Sequence, residues 1–293
     1  MIYKNKAFDF VMRIIVLILI MSAIIPFIIL VSSSFSSETS LAQYGYGIFP
    51  HEFSTAAYAY LQNAAVDILK AYGMSFSITG IGTIISITMT MMFAYALSRP
   101  DLPGRTFISF FLFFTMLFNG GFVPTYLVYS SVFNITDSFW AMVVPYLLMN
   151  AFYVIMVRTY ITSNVPNEVI EAARIDGSGE FRTFGTIVLP MCKPIVGTVA
   201  LMTAIGYWNN WTNGIYFIHV RKELYGIQNY LNSVLANINF LQSHSTPGIS
   251  TGPLPSVSIR MALAVIALIP LLVAYPFFQK SFTKGITIGS VKG

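Results

Sequence analysis

The chain has 293 residues, a formal charge of +5, a single cysteine and a mean hydropathy of +0.71. Charged residues make up 9%, against roughly 25% in soluble domains, too few to coat a soluble surface of this size, so the composition predicts an integral membrane protein. The basic residues form no patch interleaved with aromatics, which argues against nucleic acid as a partner, and the lone Cys192 excludes an intramolecular disulfide.

The chain opens on a short basic stretch, MIYKNKAFDFVMR, and an apolar run follows over 14–31. That run exceeds the roughly 7–15 residues of a secretory h-region and has no clear small-x-small cleavage site, so it reads as an uncleaved first span. Residues 32–71 are polar and aromatic and read as an external segment, with a surface-lying helix expected over 55–71. A second span is expected over 72–97, then the tight turn SRPDLPGR with Arg99 and Arg105. The third span, 106–130, contains the break Asn119-Gly120-Gly121 followed by Pro124, and residues 134–137 form a short outer turn. A fourth span is expected over 138–160, a polar loop over 161–194, and a fifth span over 195–218. A long outer segment, 219–258, ends in the run STPGISTGPLPS, and a sixth span over 259–278 leads into a 15-residue tail. The fold class is therefore all-α, one polytopic membrane domain over 1–293.

Six spans put both termini on one side, and twelve of the sixteen lysines and arginines fall in or beside segments on that side. The positive-inside rule makes that side the cytoplasm, and the 161–194 loop lies there too.

Candidate chemistry is sparse. No GxxxxGK[ST] phosphate-binding loop occurs, so the chain does not bind ATP by a P-loop. No histidine–cysteine cluster has metal-ligand spacing, so no metal site is expected, and no nucleophile–base pair suggests itself. Every acidic residue falls outside the six apolar runs, whereas ion-coupled carriers keep ionisable groups at membrane depth. Energy should then arrive through a contact in the cytoplasm.

The 24 residues from Glu171 to Pro194, EAARIDGSGEFRTFGTIVLPMCKP, are a polar island suited to such a contact. Residues 168–176 read as a short helix, and Gly177 and Gly179 supply the turn because glycine tolerates positive φ. Phe184, Ile187 and Val188 have the spacing of a second short amphipathic helix, punctuated by Pro190 and Pro194.

Glu171-Ala172-Ala173, Asp176-Gly177, Ile187, Leu189-Pro190 and Pro194 together resemble the EAA loop of bacterial ABC importer permeases. Ser178 stands where that loop usually has alanine. With NVPNEVIEAA and GGFVPTYLV, the likeness extends over nearly the whole chain to the second permease subunit of maltose-type carbohydrate importers, in the branch for oligosaccharides and polysaccharide fragments. The resemblance implies a non-catalytic subunit in a bacterial plasma membrane, paired with a related permease as a heterodimer. It implies two copies of a cytoplasmic ATPase that hold ATP and magnesium, an extracellular solute-binding protein, and a carbohydrate moved by alternating access. It also implies that Glu171, Ala172, Ala173, Asp176, Gly177 and Ser178 form the ATPase contact. The alternatives are an ABC permease for another solute, such as a phosphorylated polyol, or an ATPase-independent carrier or channel. The first predicts extra basic groups along the pathway and the second predicts intramembrane ionisable groups.

In the fifth span, GYWNNWTN places Asn209, Asn210 and Asn213 within about 100° of one helix face. Buried at mid-depth, they should either line a solute pathway or hydrogen-bond a partner helix. Asn119 and Asn150 are candidates on the same grounds. The external segments 32–71 and 219–258 are candidates for contacting the binding protein.

Overall fold

A computed structural model describes residues 6–243 and 256–290, and the regular structure among them is helical, with one isolated antiparallel bridge between Ser36 and Phe53. The chain divides into two compact units, Met1–Ile68 with Leu231–Leu271 and Leu69–Tyr230 with Leu272–Gly293.

The first unit opens with α1, Lys6–Ser34, which carries Pro26 inside it. Its apolar side chains are exposed on every side from Phe8 to Ile28, the pattern of a helix that meets lipid rather than a protein core. Its last turn changes character: Ser32, Ser33 and Ser34 are buried, and the Ser34 and Tyr58 hydroxyls are 2.9 Å apart. Next comes α2, Glu38–Tyr44, capped by Ser37, whose hydroxyl oxygen accepts from Ser40 N–H and whose proton goes to Glu52. The short α3, Ala56–Asn63, buries Ala57 and Leu61 at i, i+4.

α4, Ala65–Ser98, begins seven residues before the expected second span, so 65–71 continue that span's helix rather than lying apart from it. The turn after it ends at Gly104, which has φ +71, and α5, Arg105–Leu117, follows. The expected third span then bends by 117° at Asn119–Gly121 between α5 and the pair formed by α6, Phe122–Leu127, and a π-helical turn, Val128–Val132.

The 138–160 stretch is likewise not one helix. α7, Phe139–Val143, stops before Pro145 and Tyr146, the latter at φ +65, and α8, Ala151–Asn164, restarts after Asn150. Proline lacks the N–H that would continue the ladder, and its ring crowds the preceding turn. The polar loop contains α9, Asn167–Ile175, and α10, Glu180–Thr183, then a π-helical stretch, Phe184–Val188, and α11, Leu189–Met191. α12, Lys193–Trp208, starts after an 84° bend at Cys192, with Pro194 in its first turn, and α13, Thr212–Phe217, follows a break at 209–211. A 3-10 turn, Lys222–Leu224, leads to α14, Ile227–Ser243, and the chain closes with α15, Ser256–Ser290. Most of the run STPGISTGPLPS, like residues 1–5 and 291–293, lies outside the described residues.

The N-terminus of α15 belongs to the first unit, where the Glu38 carboxylate accepts from Val257 N–H, Ser258 N–H and the Ser258 hydroxyl. A carboxylate there satisfies orphan donors and faces the positive end of the helix dipole. Ile259, Ala262, Leu263 and Ala267 then line its buried stripe.

In the second unit, one core joins Met91, Ala94 and Leu97 of α4 to Val154, Val157 and Ile161 of α8 and to Val188, Cys192, Ile195 and Val199. All recur at helical spacing. Within a bilayer apolar burial gives little drive between helices, so close packing and hydrogen bonds hold such a core together. Among the described residues, Phe8–Ser34 and Ala65–Ser98 are long and apolar enough to cross a membrane, and the number rises to four if each of the two bent pairs is one span.

Candidate functional site

The polar loop builds a small exposed helix on a firm base. Pro166 ends the preceding segment in extended geometry and α9 begins at once, with Glu168 in its first turn and Arg174 in its last, both favourable to the helix dipole. Ile170 and Ala173 are buried, at i, i+3, and seat the helix on the second unit. The opposite face presents Glu171, Ala172 and Ile175 to solvent, Ile175 with 87% of its surface exposed.

α9 ends in a Schellman arrangement. Gly177, at φ +77, donates its N–H to Arg174 O at 3.0 Å, and Ser178 donates to Ala173 O at 2.9 Å. Asp176 is the C-cap residue and is exposed. Of the two glycines expected to supply the turn through positive φ, only Gly177 does; Gly179 has φ −72 and serves as the extended N-cap of α10. Ser178 is half-buried and its hydroxyl accepts from Thr183, a bond that alanine cannot make. Phe181 then stands 80% exposed close to Ile175 in sequence. Neither of these two apolar side chains was singled out from the sequence. The available signal was that Ile175 falls out of phase with the buried Ile170 and Ala173.

The loop is tied to α4 through a chain of charges. The Arg174 guanidinium donates to Glu180 Oε1 at 2.8 Å and to Asp101 Oδ2 at 2.9 Å. The other Glu180 oxygen accepts from the Tyr95 hydroxyl at 2.7 Å. Arg99, almost wholly buried, lies 3.9 Å from Asp101. The bond from Tyr95 and the charge of Arg174 hold the Glu180 carboxyl below its usual range, and Arg174 does the same for Asp101. A cavity of about 510 Å³ opens beside this chain, lined by Tyr95, Arg99, Leu102, Arg174, Phe181 and Phe184 among others. Cys192 is fully enclosed nearby, and burial pushes its thiol up to about 11, so it is an inert packing group.

The asparagines fall into different settings. Asn119 and Asn150 are exposed, and each accepts from a backbone N–H two residues on, Gly121 and Phe152, so both act locally as turn and cap residues. Asn209, Asn210 and Asn213 do not share a helical face, because α12 ends at Trp208 and the 100° spacing stops there. Asn209 is exposed and 3.5 Å from Gln228 Nε2, while Asn210 accepts from Asn213 N–H and starts α13. Asn213 is wholly buried, and its amide donates to Met142 O at 3.3 Å and Pro145 O at 3.0 Å. Those carbonyls lost their helical partners when α7 stopped, and Val143 O is likewise satisfied by the Tyr207 hydroxyl. Asn213 is thus bonded to the backbone at the end of α7.

At 134–138 the backbone turns sharply, and Asp137, at φ +52, accepts through Oδ1 from the N–H groups of His219, Val220 and Arg221. These donors hold its carboxyl below the usual range and fix a loop whose tip, Val220, is 80% exposed. Among the described residues no group of three His, Cys, Asp or Glu side chains is placed to hold a metal ion.

Comparison with known proteins gives a consistent family. Residues 86–288 match the model of the binding-protein-dependent transport system inner membrane component. The chain is 36% identical over 290 residues to the polygalacturonan/rhamnogalacturonan transport system permease protein YtcP of Bacillus subtilis, covering 99% of this chain and 100% of that one. It is 36% identical to the Bacillus subtilis protein LplC, over 92% of this chain and 90% of that protein. Its backbone is similar, at TM-score 0.80 and 26% identity, to a chain in the crystal structure of a bacterial ABC transporter involved in the import of the acidic polysaccharide alginate, over 96% and 98% of the two chains.

Proposed function

The chain belongs to the family of binding-protein-dependent transport system inner membrane components, and from that membership we propose that it is one permease subunit of an ATP-driven importer for oligosaccharides or polysaccharide fragments. It is a transporter subunit rather than an enzyme, and its relatives are ABC permeases. ATP and magnesium would sit on a separate cytoplasmic ATPase, present in two copies, and a second, related permease would complete the membrane pathway. An extracellular binding protein would deliver the solute. In this reading the six spans comprise α1, α4, α5 with α6, α7 with α8, α12 with α13, and α15, with both termini in the cytoplasm.

The observation that carries the reading is the exposed face of α9, in which Glu171, Ala172 and Ile175 stand out from a helix seated by Ile170 and Ala173. The Glu171 carboxylate offers charge, Ala172 permits close approach, and Ile175 with Phe181 supplies the apolar area that a polar loop would otherwise lack. Asp176, Gly177 and Ser178 form the turn that sets the angle of this face. ATP would bind the closed arrangement of the ATPase pair more tightly and, through this contact, bias the membrane helices between inward- and outward-facing states. Asn119, Asn150, Asn209 and Asn210, each at least partly exposed beside a helix break, are with the buried Asn213 the candidates for the solute pathway.

Purification of the chain from solubilised native membranes, with mass spectrometry of what accompanies it, tests the reading. A second permease and an ATPase should be recovered with the wild type, and Glu171→Ala should lower recovery of the ATPase while leaving membrane insertion intact. Recovery of the chain alone would overturn the proposal.

A further inference from the structure

Besides its peptide link to α8 and the apolar seat of Ile170 and Ala173, α9 is joined to the rest of its unit by two further routes. The covalent route runs through α10, the π-helical stretch 184–188 and α11, then turns by 84° at Cys192 into α12. Pro190 and Pro194 flank that turn, in the first turns of α11 and α12, so this route is bent rather than one straight helix. The second route is non-covalent and short: Arg174, in the last turn of α9, donates to Glu180, whose other oxygen accepts a hydrogen bond from the Tyr95 hydroxyl on α4. The same guanidinium reaches Asp101, in the turn that follows α4.

We propose that Tyr95, Arg174, Glu180 and Asp101 are positioning residues that transmit movement of α9 to the inner end of α4. The inference rests on the reading of α9 as the ATPase contact. Three features support it. The Glu180 carboxylate is used at both oxygens by groups from different elements, so its position is defined in two directions. Tyr95 is only 7% exposed, which anchors one end of the chain within the α4 core, whereas Arg174, Asp101 and Glu180 are partly exposed. Exposed ion pairs contribute little to stability, so this network is poorly placed to explain the fold. The apolar seat of α9 on Ile170 and Ala173 uses none of these charges. Loss of the network should therefore appear in how movement is passed on, not in whether the loop folds.

The test uses the complete transporter purified from native membranes and placed in lipid nanodiscs. One environment-sensitive fluorophore is attached to α9 at Glu168→Cys, and in a parallel preparation to α4 at Met92→Cys; the native Cys192 is fully buried and does not compete. The probe is a non-hydrolysable ATP analogue. In the wild type both labels should respond. In Glu180→Gln and in Tyr95→Phe, which removes only a hydroxyl, the α9 label should respond as before. The nucleotide-driven shift at the α4 label should fall by about fivefold, the low end of ordinary coupling factors. Arg174→Lys, which keeps the charge but loses the fork, should behave like Glu180→Gln. Equal responses at α4 in the wild type and all three variants overturn the inference while leaving the docking reading intact. Silence of the α9 label in the wild type removes the docking reading, and this inference with it.

Discussion

The ring of Tyr207 lies so close to Gly82 that a Cβ on the glycine would stand 2.5 Å from its Cζ. The ring's hydroxyl is committed to Val143 O at 3.0 Å, so it has no simple way to swing aside. Glycine here is a packing requirement: it lets α12 and α7 close on α4. Gly82→Ala should destabilise the purified chain by about 1–3 kcal/mol, the usual cost of overpacking. The check is thermal unfolding in detergent, with Gly80→Ala, where the added atom meets open space, as the control that moves little.

Asn213 gives a second stability prediction. Its buried amide satisfies two carbonyls left over by the end of α7. Asn213→Ala should cost about 1 kcal/mol, since side-chain bonds within membranes average about 0.6 kcal/mol each. Asn119→Ala, at an exposed turn, should cost less. Paired unfolding curves for the two variants decide whether Asn213 holds the fold, and equal losses would contradict the assignment.

Gly177 tests the geometry of the exposed helix. At φ +77 a residue with a Cβ is strained by about 1–2 kcal/mol, and asparagine tolerates the region better than a β-branched residue. Gly177→Val should therefore lower recovery of the ATPase with the purified chain more than Gly177→Asn does, although neither removes a contacting side chain. Equal recovery would mean that the angle of the turn is unimportant.

The charge network makes a pH prediction with a definite sign. Tyr95 and Arg174 hold Glu180 below its usual range, and Arg174 holds Asp101 below its own. Carboxylates depressed in this way contribute stability above their ordinary range and lose it as pH falls through the depressed values. Glu180→Gln cannot titrate at this position. The difference in melting temperature between wild type and Glu180→Gln should be present near neutral pH and shrink as the solution is acidified below the ordinary carboxylate range. Partial exposure keeps the difference small.

These relationships mark what the sequence makes legible. α9 and its Gly177 turn are local, set by helix spacing and one glycine, and reading the residues in order suffices to find them. The long apolar helices follow equally from composition. The breaks at 144–150 and 209–211 are not legible for a physical reason: hydropathy runs straight through them, while the groups that make a break tolerable come from elsewhere. Asn213 stabilises the end of α7 from 71 residues away. The Arg174–Asp101 bond spans 73 residues, so no local spacing announces it. Asn209 and Asn210 resemble part of a polar stripe because a helical wheel assumes that the helix continues, and here α12 ends before them at Trp208.

If the exposed face of α9 receives the ATPase, a photo-crosslinking side chain placed on that face will capture it. The position is Ile175, with Val220, comparably exposed on the loop held by Asp137, as the control. Irradiation of native membranes should yield an adduct of this chain with an ATPase from position 175 and none from position 220. Absence of an ATPase adduct at 175, or its appearance equally at 220, would contradict the account.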